Sequence, residues 1–481
     1  MWRGRNLVAL LAAFAGIEYL IYFHHATHFF QADTLYWFDH RLTTMAEFVR
    51  SFASPDPGGW YRPLTNRTVQ SLLYPAVGLN PTAYRCVQFL LFFADIAAVF
   101  TLTARVTQRR NAPLIAAFFF AIHTINAYTT YDLAFVPELT YTFFYIGSVI
   151  AFLRFLETDR SRLLFASAVA FALSLCSKES AVTLPAVACV MAYLQGAKVK
   201  PILRSAIPLA AILVAYLILT LGYLKIASEA LTSLRTPPTE FEAGGYYFMA
   251  GPHVLTNALT AWCWGLNLPV GLLGEWRDQT TLRSVVIWGF ATLQMIVLAC
   301  AVRKEAWRPI VAGFAWFWLS VLPALPLRGH FLPYYLLLPI VGFAVMVGSS
   351  WGQVYGNLAT KRPVTAGTIV SLIFVVVALV YSRTSRSEAR NNFLLGRSSR
   401  IAESSLHDIR NLFPSISPGT RFWIQDESEP DLNFHQADGG LFRVAYGDNS
   451  LQFAYSQTDS PAPAGTLLLI YTQGHLQKGA K

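Results

Sequence analysis

Apolar runs of roughly twenty residues, broken by short polar stretches, recur from Leu7 to Tyr381, the spacing that membrane-crossing helices require. They predict eleven spans: Leu7–Phe23, Tyr84–Val106, Pro113–Tyr128, Leu133–Leu156, Leu163–Cys176, Ala181–Leu194, Ala206–Ile226, Val285–Val302, Pro309–Leu325, Phe331–Val347 and Val364–Tyr381. Val254–Leu273 is apolar too, but Trp262, Trp264, Asn267 and Pro269 suit a membrane surface better than a bilayer centre. Counting it as a span would also carry Arg303, Lys304 and Arg308 to the outer side. It is therefore read as an interfacial or re-entrant segment within an outer loop, residues 227–282. The first run follows Arg3 and Arg5 as a signal peptide would, yet Glu18, Tyr19 and Tyr22 leave no small-residue cleavage site, so it is read as a retained span.

The pattern changes at about Ser382, which divides a membrane domain, 1–382, from an α+β domain, 383–481. A charged helical stretch, Ser385–Leu412, can line one face with Leu394, Leu395, Ile401, Leu406 and Ile409. Strand-like runs follow at Arg421–Ile424, Gly440–Tyr446, Leu451–Tyr455 and Thr466–Tyr471, with Gly447-Asp448-Asn449 as a hairpin signal. No fixed-period repeat is present. In the tail His435, Asp426 and Glu427 read as solvated loop residues.

Composition agrees with the pattern. Of 481 residues, 54% are hydrophobic and 13% charged, against about 25% charged in a soluble domain. The net charge of +10 does not point to nucleic acid, because the cations punctuate span ends instead of clustering. With a cytoplasmic N-terminus, 16 of the 37 lysines and arginines fall at inner ends and the tail lies outside. The fold class is thus an α-helical polytopic membrane protein with a small outer domain, seated in a bacterial inner membrane. Its five cysteines lie in or beside apolar runs without a CxxC pair, so neither a disulfide framework nor a zinc site is expected.

About sixty residues, 24–83, join the first two spans where a handful would do. Asp33 stands near the start of this loop, and its residue type fits either a helix cap at the bilayer edge or a general base whose basicity a low-dielectric wall raises. Asp39 is a second candidate. Tyr61-Arg62-Pro63 closes the loop with a fork of donors that suits a phosphate or a carboxylate. Lys178-Glu179 lies between two spans, as a membrane-edge ion pair or a phosphate-binding lysine steadied by its neighbour. Glu138 sits inside an apolar run, where a carboxylate has to be paired or face a wet cavity. On the last outer loop Arg328 and His330 stand beside Pro333-Tyr334-Tyr335 and could complete a cationic cradle. His123 reads as a hydrogen-bonded core histidine. No GxGxxG, P-loop, HExxH or GxSxG motif has a supporting context, which argues against soluble nucleotide chemistry on the inner side.

Several stretches together resemble the GT-C glycosyltransferases that use polyprenyl-phosphate-linked sugars, in particular the protein O-mannosyltransferase and ArnT-like branch. Bacterial relatives of the transmembrane-and-tetratricopeptide mannosyltransferases are similar too, although their repeats are missing here. The resemblance is carried by FFQADTL around Asp33, WYRPLTNRTVQSLLYPAVGLNPTAYRCVQFLLF, SLCSKESAVTLPAVA and GHFLPYYLLLPIVGF. It implies transfer of a sugar, with inversion, from a lipid-phosphate donor to a protein, lipid or glycan acceptor on the outer face. By motif matching Asp33 takes the catalytic position, Arg62 and Lys178 the phosphate-side cations and Glu179 a supporting position; the residues themselves add Arg328 and His330 on the donor-phosphate side and Tyr61, Glu138 and Tyr334 as supporting candidates. Relatives often carry paired acids after the first span; here Ala32 and Thr34 flank Asp33, so no metal and no other cofactor is expected. Gly329-His330 replaces their Glu-Arg. Two other classes share parts of this pattern: a flippase or transporter of lipid-linked sugars, and a non-catalytic membrane assembly protein.

Overall fold

The structure, a computed structural model, describes residues 16, 19–22, 28–57, 60–107, 109–224, 247–268, 281–302, 307–360, 363–429, 431–456 and 461–479. Most of the expected first span, most of the loop 227–282 and the cations Arg3, Arg5, Arg303, Lys304, Lys361 and Arg362 lie outside the described residues. The main helices are α1 (Ala32–Asp39), α2 (Pro81–Val106), α3 (Ala112–Ile122), α4 (Val136–Thr158), α5 (Ser161–Ser177), α6 (Leu184–Leu194), α7 (Val199–Leu217), α8 (His253–Gly265), α9 (Thr281–Val302), α10 (Trp307–Val321), α11 (Leu337–Ala359), α12 (Pro363–Asn391), α13 (Ser398–Leu412) and α14 (Gly440–Tyr446). Among the described residues six segments are long and apolar enough to cross a membrane: Pro81–Val106, Leu133–Thr158, Val199–Gly222, Leu282–Val302, Pro333–Ala359 and Gly367–Ser387. Ala112–Ile122, Ser161–Ser177 and Glu179–Leu194 are apolar but shorter. The protein is an integral, multi-pass membrane protein.

The bundle is organised around α11, whose apolar window is wholly buried by its neighbours. It packs on α10, α3, α9 and α12. In a bilayer, helices attract one another by close packing, so small residues gather where backbones meet. A Cβ added at Gly342 of α11 would lie 2.3 Å from the Gly313 carbonyl oxygen of α10, and one at Gly313 would lie 2.5 Å from that of Gly342. Helix starts are marked by proline and cap residues. Asn80 accepts the Thr82 N–H ahead of Pro81, Pro137 opens α4 and Pro185 opens α6. The segment read as interfacial contains α8, 13 residues long, about 20 Å, which is short of the roughly 30 Å hydrocarbon core.

The tail holds one four-stranded sheet in the order β4-β3-β5-β6, with β3 (Arg421–Asp426), β4 (Gln452–Ser456), β5 (Leu467–Thr472) and β6 (His475–Lys478). A separate two-stranded pair, β1 (Tyr247–Phe248) and β2 (Leu327–Arg328), lies in the membrane domain's loops. Strand β3 pairs parallel with β4 and β5, and β5 antiparallel with β6. Three expectations need correction. Gly440–Tyr446 is a helix, bounded by left-handed Gly439 (φ 82°) and Gly447 (φ 65°), because parallel β3 and β4 need a crossover between them. The hairpin lies instead at Gln473-Gly474, both with positive φ (51° and 85°), as a two-residue turn demands. His435 is the third: it is fully buried, with Nε2 3.5 Å from Glu429 Oε1. The helical stretch is broken, since α12 ends at Asn391 and a wide turn, Phe393–Arg397, leads into α13.

The tail is seated on the first loop. Phe29, Phe30, Leu35 and Phe38 share one hydrophobic core with Ile401, Leu441 and Phe442. Asp39 of α1 accepts a bidentate pair from Arg443 of α14, Nε to Oδ1 at 3.2 Å and Nη2 to Oδ2 at 2.7 Å, so it serves docking. The Ser398 hydroxyl accepts the Ala32 N–H at 3.3 Å.

Candidate active site

Asp33 is the second residue of α1. Gln31 caps that helix, its Oε1 accepting the Asp33 N–H at 2.9 Å, while its Nε2 donates to the Asp33 carboxylate at 3.3 Å and to Asp132 Oδ1 at 3.2 Å. Asp132 is fully committed. It takes the Ala134 N–H at 2.9 Å, the Gln31 N–H at 3.2 Å, the Thr34 hydroxyl and, at 3.6 Å, the guanidinium of Arg85. Asp132 and Arg85 have no exposed surface. The side chain of Asp33 is exposed, yet desolvation by the protein around it pushes its pKa up to about 6, against the pull of the Gln31 hydrogen bond and with help from the Asp132 charge. Asp33 is thus open to solvent at its surface and yet harder to ionise than a free carboxylate.

Six residues beyond Asp132, about 10 Å of helical backbone, Glu138 lies in the first turn of α4. It pairs with Lys178, and both side chains are buried. The Lys178 ammonium also sits 5.2 and 4.9 Å from the ring centres of Tyr334 and Tyr335, within cation–π range. His330 Nε2 meets the Tyr334 hydroxyl at 3.1 Å, and that hydroxyl donates to Tyr335 Oη at 3.2 Å. Burial, and then the Lys178 charge, hold the His330 pKa down at about 4, so its ring is neutral at pH 7. Phe135 packs on Tyr334 at 4.9 Å, joining this wall to the segment that carries Asp132.

Arg62 is brought alongside by two backbone ties: Leu64 N–H donates to the Cys176 carbonyl at 3.2 Å, and the Thr65 hydroxyl to the Ser177 carbonyl at 2.9 Å. Its guanidinium forks onto Glu179 at 2.9 and 2.7 Å and covers Trp60 at 4.8 Å. Lys178 is extended (φ −159°, ψ 140°), which turns neighbouring side chains to opposite sides. The carboxylate in contact with Lys178 is therefore Glu138, and adjacent Glu179 serves Arg62. The Tyr61 hydroxyl donates to the Phe52 carbonyl at 3.0 Å and steadies the loop. Arg328 is exposed, its Nη1 3.9 Å from Met249 Sδ, and stands outside this chain of contacts. His123 is a buried core histidine, as expected, its Nδ1 accepting the Ile125 N–H at 3.3 Å.

Sequence reasoning missed Gln31, Arg85 and Asp132. A signal for two of them was present: Arg85 stands in an apolar run, where a cation needs a partner, and Asp132 is the sole acid between Arg110 and Glu138.

Residues 62–223, about a third of the chain, match the family model described as dolichyl-phosphate-mannose-protein mannosyltransferase. That stretch holds Arg62, Arg85, Asp132, Glu138, Lys178 and Glu179; Asp33 and His330 fall outside it. No curated protein sequence matches the chain. Among solved structures, the Archaeoglobus fulgidus oligosaccharyltransferase tethered to an acceptor peptide with an NVT sequon is similar, with TM-score 0.55 and 13% identity over 92% of this chain. This chain covers 63% of that enzyme's length. ArnT from Cupriavidus metallidurans bound to undecaprenyl phosphate is similar with TM-score 0.53 and 14% identity, covering 94% of this chain and 90% of ArnT. Its apo state gives TM-score 0.55 and 12% identity, covering 94% and 86%. The chain shares the fold of these membrane glycosyltransferases, and over residues 62–223 it matches the mannosyltransferase family model, in agreement with the resemblance carried by its motifs.

Proposed function

We propose that the protein is an inverting glycosyltransferase that moves a mannose-like hexose or a pentose from a polyprenyl-phosphate donor to a protein, lipid or glycan acceptor. One observation carries the reading: Asp33 is a held, accessible and desolvated carboxylate, and contacts through Gln31, Asp132 and Phe135 link its helix to the wall of Tyr334, His330 and Lys178. Asp33 takes the proton of an acceptor hydroxyl as that oxygen attacks the anomeric carbon from one side. The bond from that carbon to the carrier phosphate breaks on the other side, its electron pair leaving with the phosphate. Lys178, His330 and Arg62 serve the departing phosphate, with Arg328 further out; Tyr61, Tyr334, Glu138 and Glu179 hold them. The charges of Arg62, Lys178, Glu138 and Glu179 cancel, so the phosphate is met by oriented donors and not by an excess of positive charge.

We assign this chemistry to the extracytoplasmic face of a bacterial inner membrane, with eleven spans, a cytoplasmic N-terminus and the domain 383–481 outside. Supporting this, Asp33, Glu138, Lys178 and Tyr334 stand at one end of the bundle and Arg105, Arg109, Arg154, Arg160, Lys198 and Arg308 at the other, where cytoplasmic cations belong.

The decisive experiment incubates membranes with a panel of polyprenyl-phosphate sugars and identifies the glycosylated product by mass spectrometry. Asp33→Asn should remain folded and inserted while losing transfer; a variant that transfers normally would take Asp33 out of the mechanism. Transfer is also expected without a divalent cation, since the Asp132 carboxylate is taken up by protein donors. Loss of product on chelation, with recovery when a metal is restored, would overturn that part.

A further inference from the structure

A cavity of about 490 Å³ opens at the end of the bundle away from Asp33. Its polar lining includes Arg105, Thr107, Arg109, Gln195, Arg308 and Gln353. Arg105 lies twenty residues along α2 from Arg85, the partner of Asp132, which is about 30 Å of helix. Gln353 lies nineteen residues beyond Tyr334 on the rod that ends in α11, a similar length. A separation of one hydrocarbon thickness rules out a shared site.

Among the described residues the lining carries three guanidinium groups and no carboxylate. Arg105 reaches out to Glu157, whose side chain is 56% exposed. Four buried side-chain atoms around the cavity make no hydrogen bond: Arg105 Nε, Gln195 Nε2, Thr107 Oγ1 and Gln353 Oε1. Thr107 and Gln353 are 7% and 6% exposed, so bulk water does not satisfy these atoms cheaply. Two are N–H donors, one is a hydroxyl and one an acceptor. Together with the arginines they match a tetrahedral oxyanion that also bears a hydroxyl. Leu194 and Ala312 add an apolar wall, and Trp307, 43% exposed, sits at the rim as tryptophan does at a membrane interface.

We propose that this cavity binds a phosphate-bearing anion, supplied either by the headgroup of an anionic lipid or by a soluble phosphate. Arg105 Nε and Gln195 Nε2 donate to the phosphate oxygens, Arg308 and Arg109 supply charge, and Gln353 Oε1 accepts a hydroxyl from the same ligand.

The test uses the full-length protein. Native mass spectrometry after exchange into phosphatidylglycerol or phosphatidylcholine measures which lipid is retained, and thermal unfolding with and without inorganic phosphate measures the soluble arm. Retention of phosphatidylglycerol over phosphatidylcholine identifies the lipid as source; stabilisation by inorganic phosphate without lipid preference identifies the soluble anion. Arg308→Ala should weaken whichever binding is seen about tenfold, the loss expected for one charge-assisted hydrogen bond. Gln195→Leu removes a donor that makes no bond in the protein, so it should fold normally and weaken binding in the same direction. Asp33→Asn should leave it unchanged. Equal retention of both lipids with no phosphate stabilisation, or binding untouched by both cavity variants, overturns the proposal.

Discussion

At the scale of single residues, the environment of Asp33 makes predictions about rate and stability at once. A base with its pKa pushed up to about 6 should give a transfer rate that climbs with pH and levels off above about 6, measured as kcat/KM against pH. The stability effect has the opposite direction. Between the ordinary 3.8 and about 6 an unfolded chain has already lost this proton while the folded one keeps it. Asp33 therefore weakens the fold progressively as pH rises through that window, and by a constant amount above it. Asp33→Asn should match the wild-type melting temperature below pH 4 and equal or exceed it at pH 7. The candidate residues were readable because polar side chains at the ends of apolar runs stand out. Their pairings were not: Lys178 meets Glu138 across 40 residues and Arg62 meets Glu179 across 117. Adjacent Lys178 and Glu179 looked like a pair until an extended backbone turned them apart.

At the scale of elements, α1 is held from two sides. Gln31 and Asp132 fix its start to the membrane bundle, and Arg443 of α14 fixes its end to the tail through Asp39, both side chains being mostly buried, at 20% exposure for Arg443 and 7% for Asp39. A double-mutant cycle on Asp39→Ala and Arg443→Ala, read by thermal unfolding, should return a coupling of about 1–3 kcal/mol. The tail was only partly readable. Runs at Arg421, Leu451 and Thr466 are strands as expected. Gly440–Tyr446 is too short for periodicity to separate strand from helix, and only its place between two parallel strands decides it.

At the scale of the whole molecule, the closeness of α10 and α11 bears weight because nothing softer lies between them. Gly342→Ala would bring a methyl to 2.3 Å from a backbone oxygen and should lower stability by about 1–3 kcal/mol, seen as a reduced melting temperature in detergent. Gly147→Ala, with nothing within 4 Å of the added carbon, should match or exceed wild type. Hydrophobic runs announced the helices. They could not announce that the apolar window of one rod, Pro333–Ala359, is wholly buried among its neighbours, since a run apolar all round reads alike in a core or in a bilayer. The shared core of first loop and tail has a practical corollary. A protein shortened after α12 would strip the cover from Phe30, Leu35 and Phe38 and leave that patch of aromatic surface wet, so the helix bearing Asp33 and the distant C-terminal sheet stand or fall as one body.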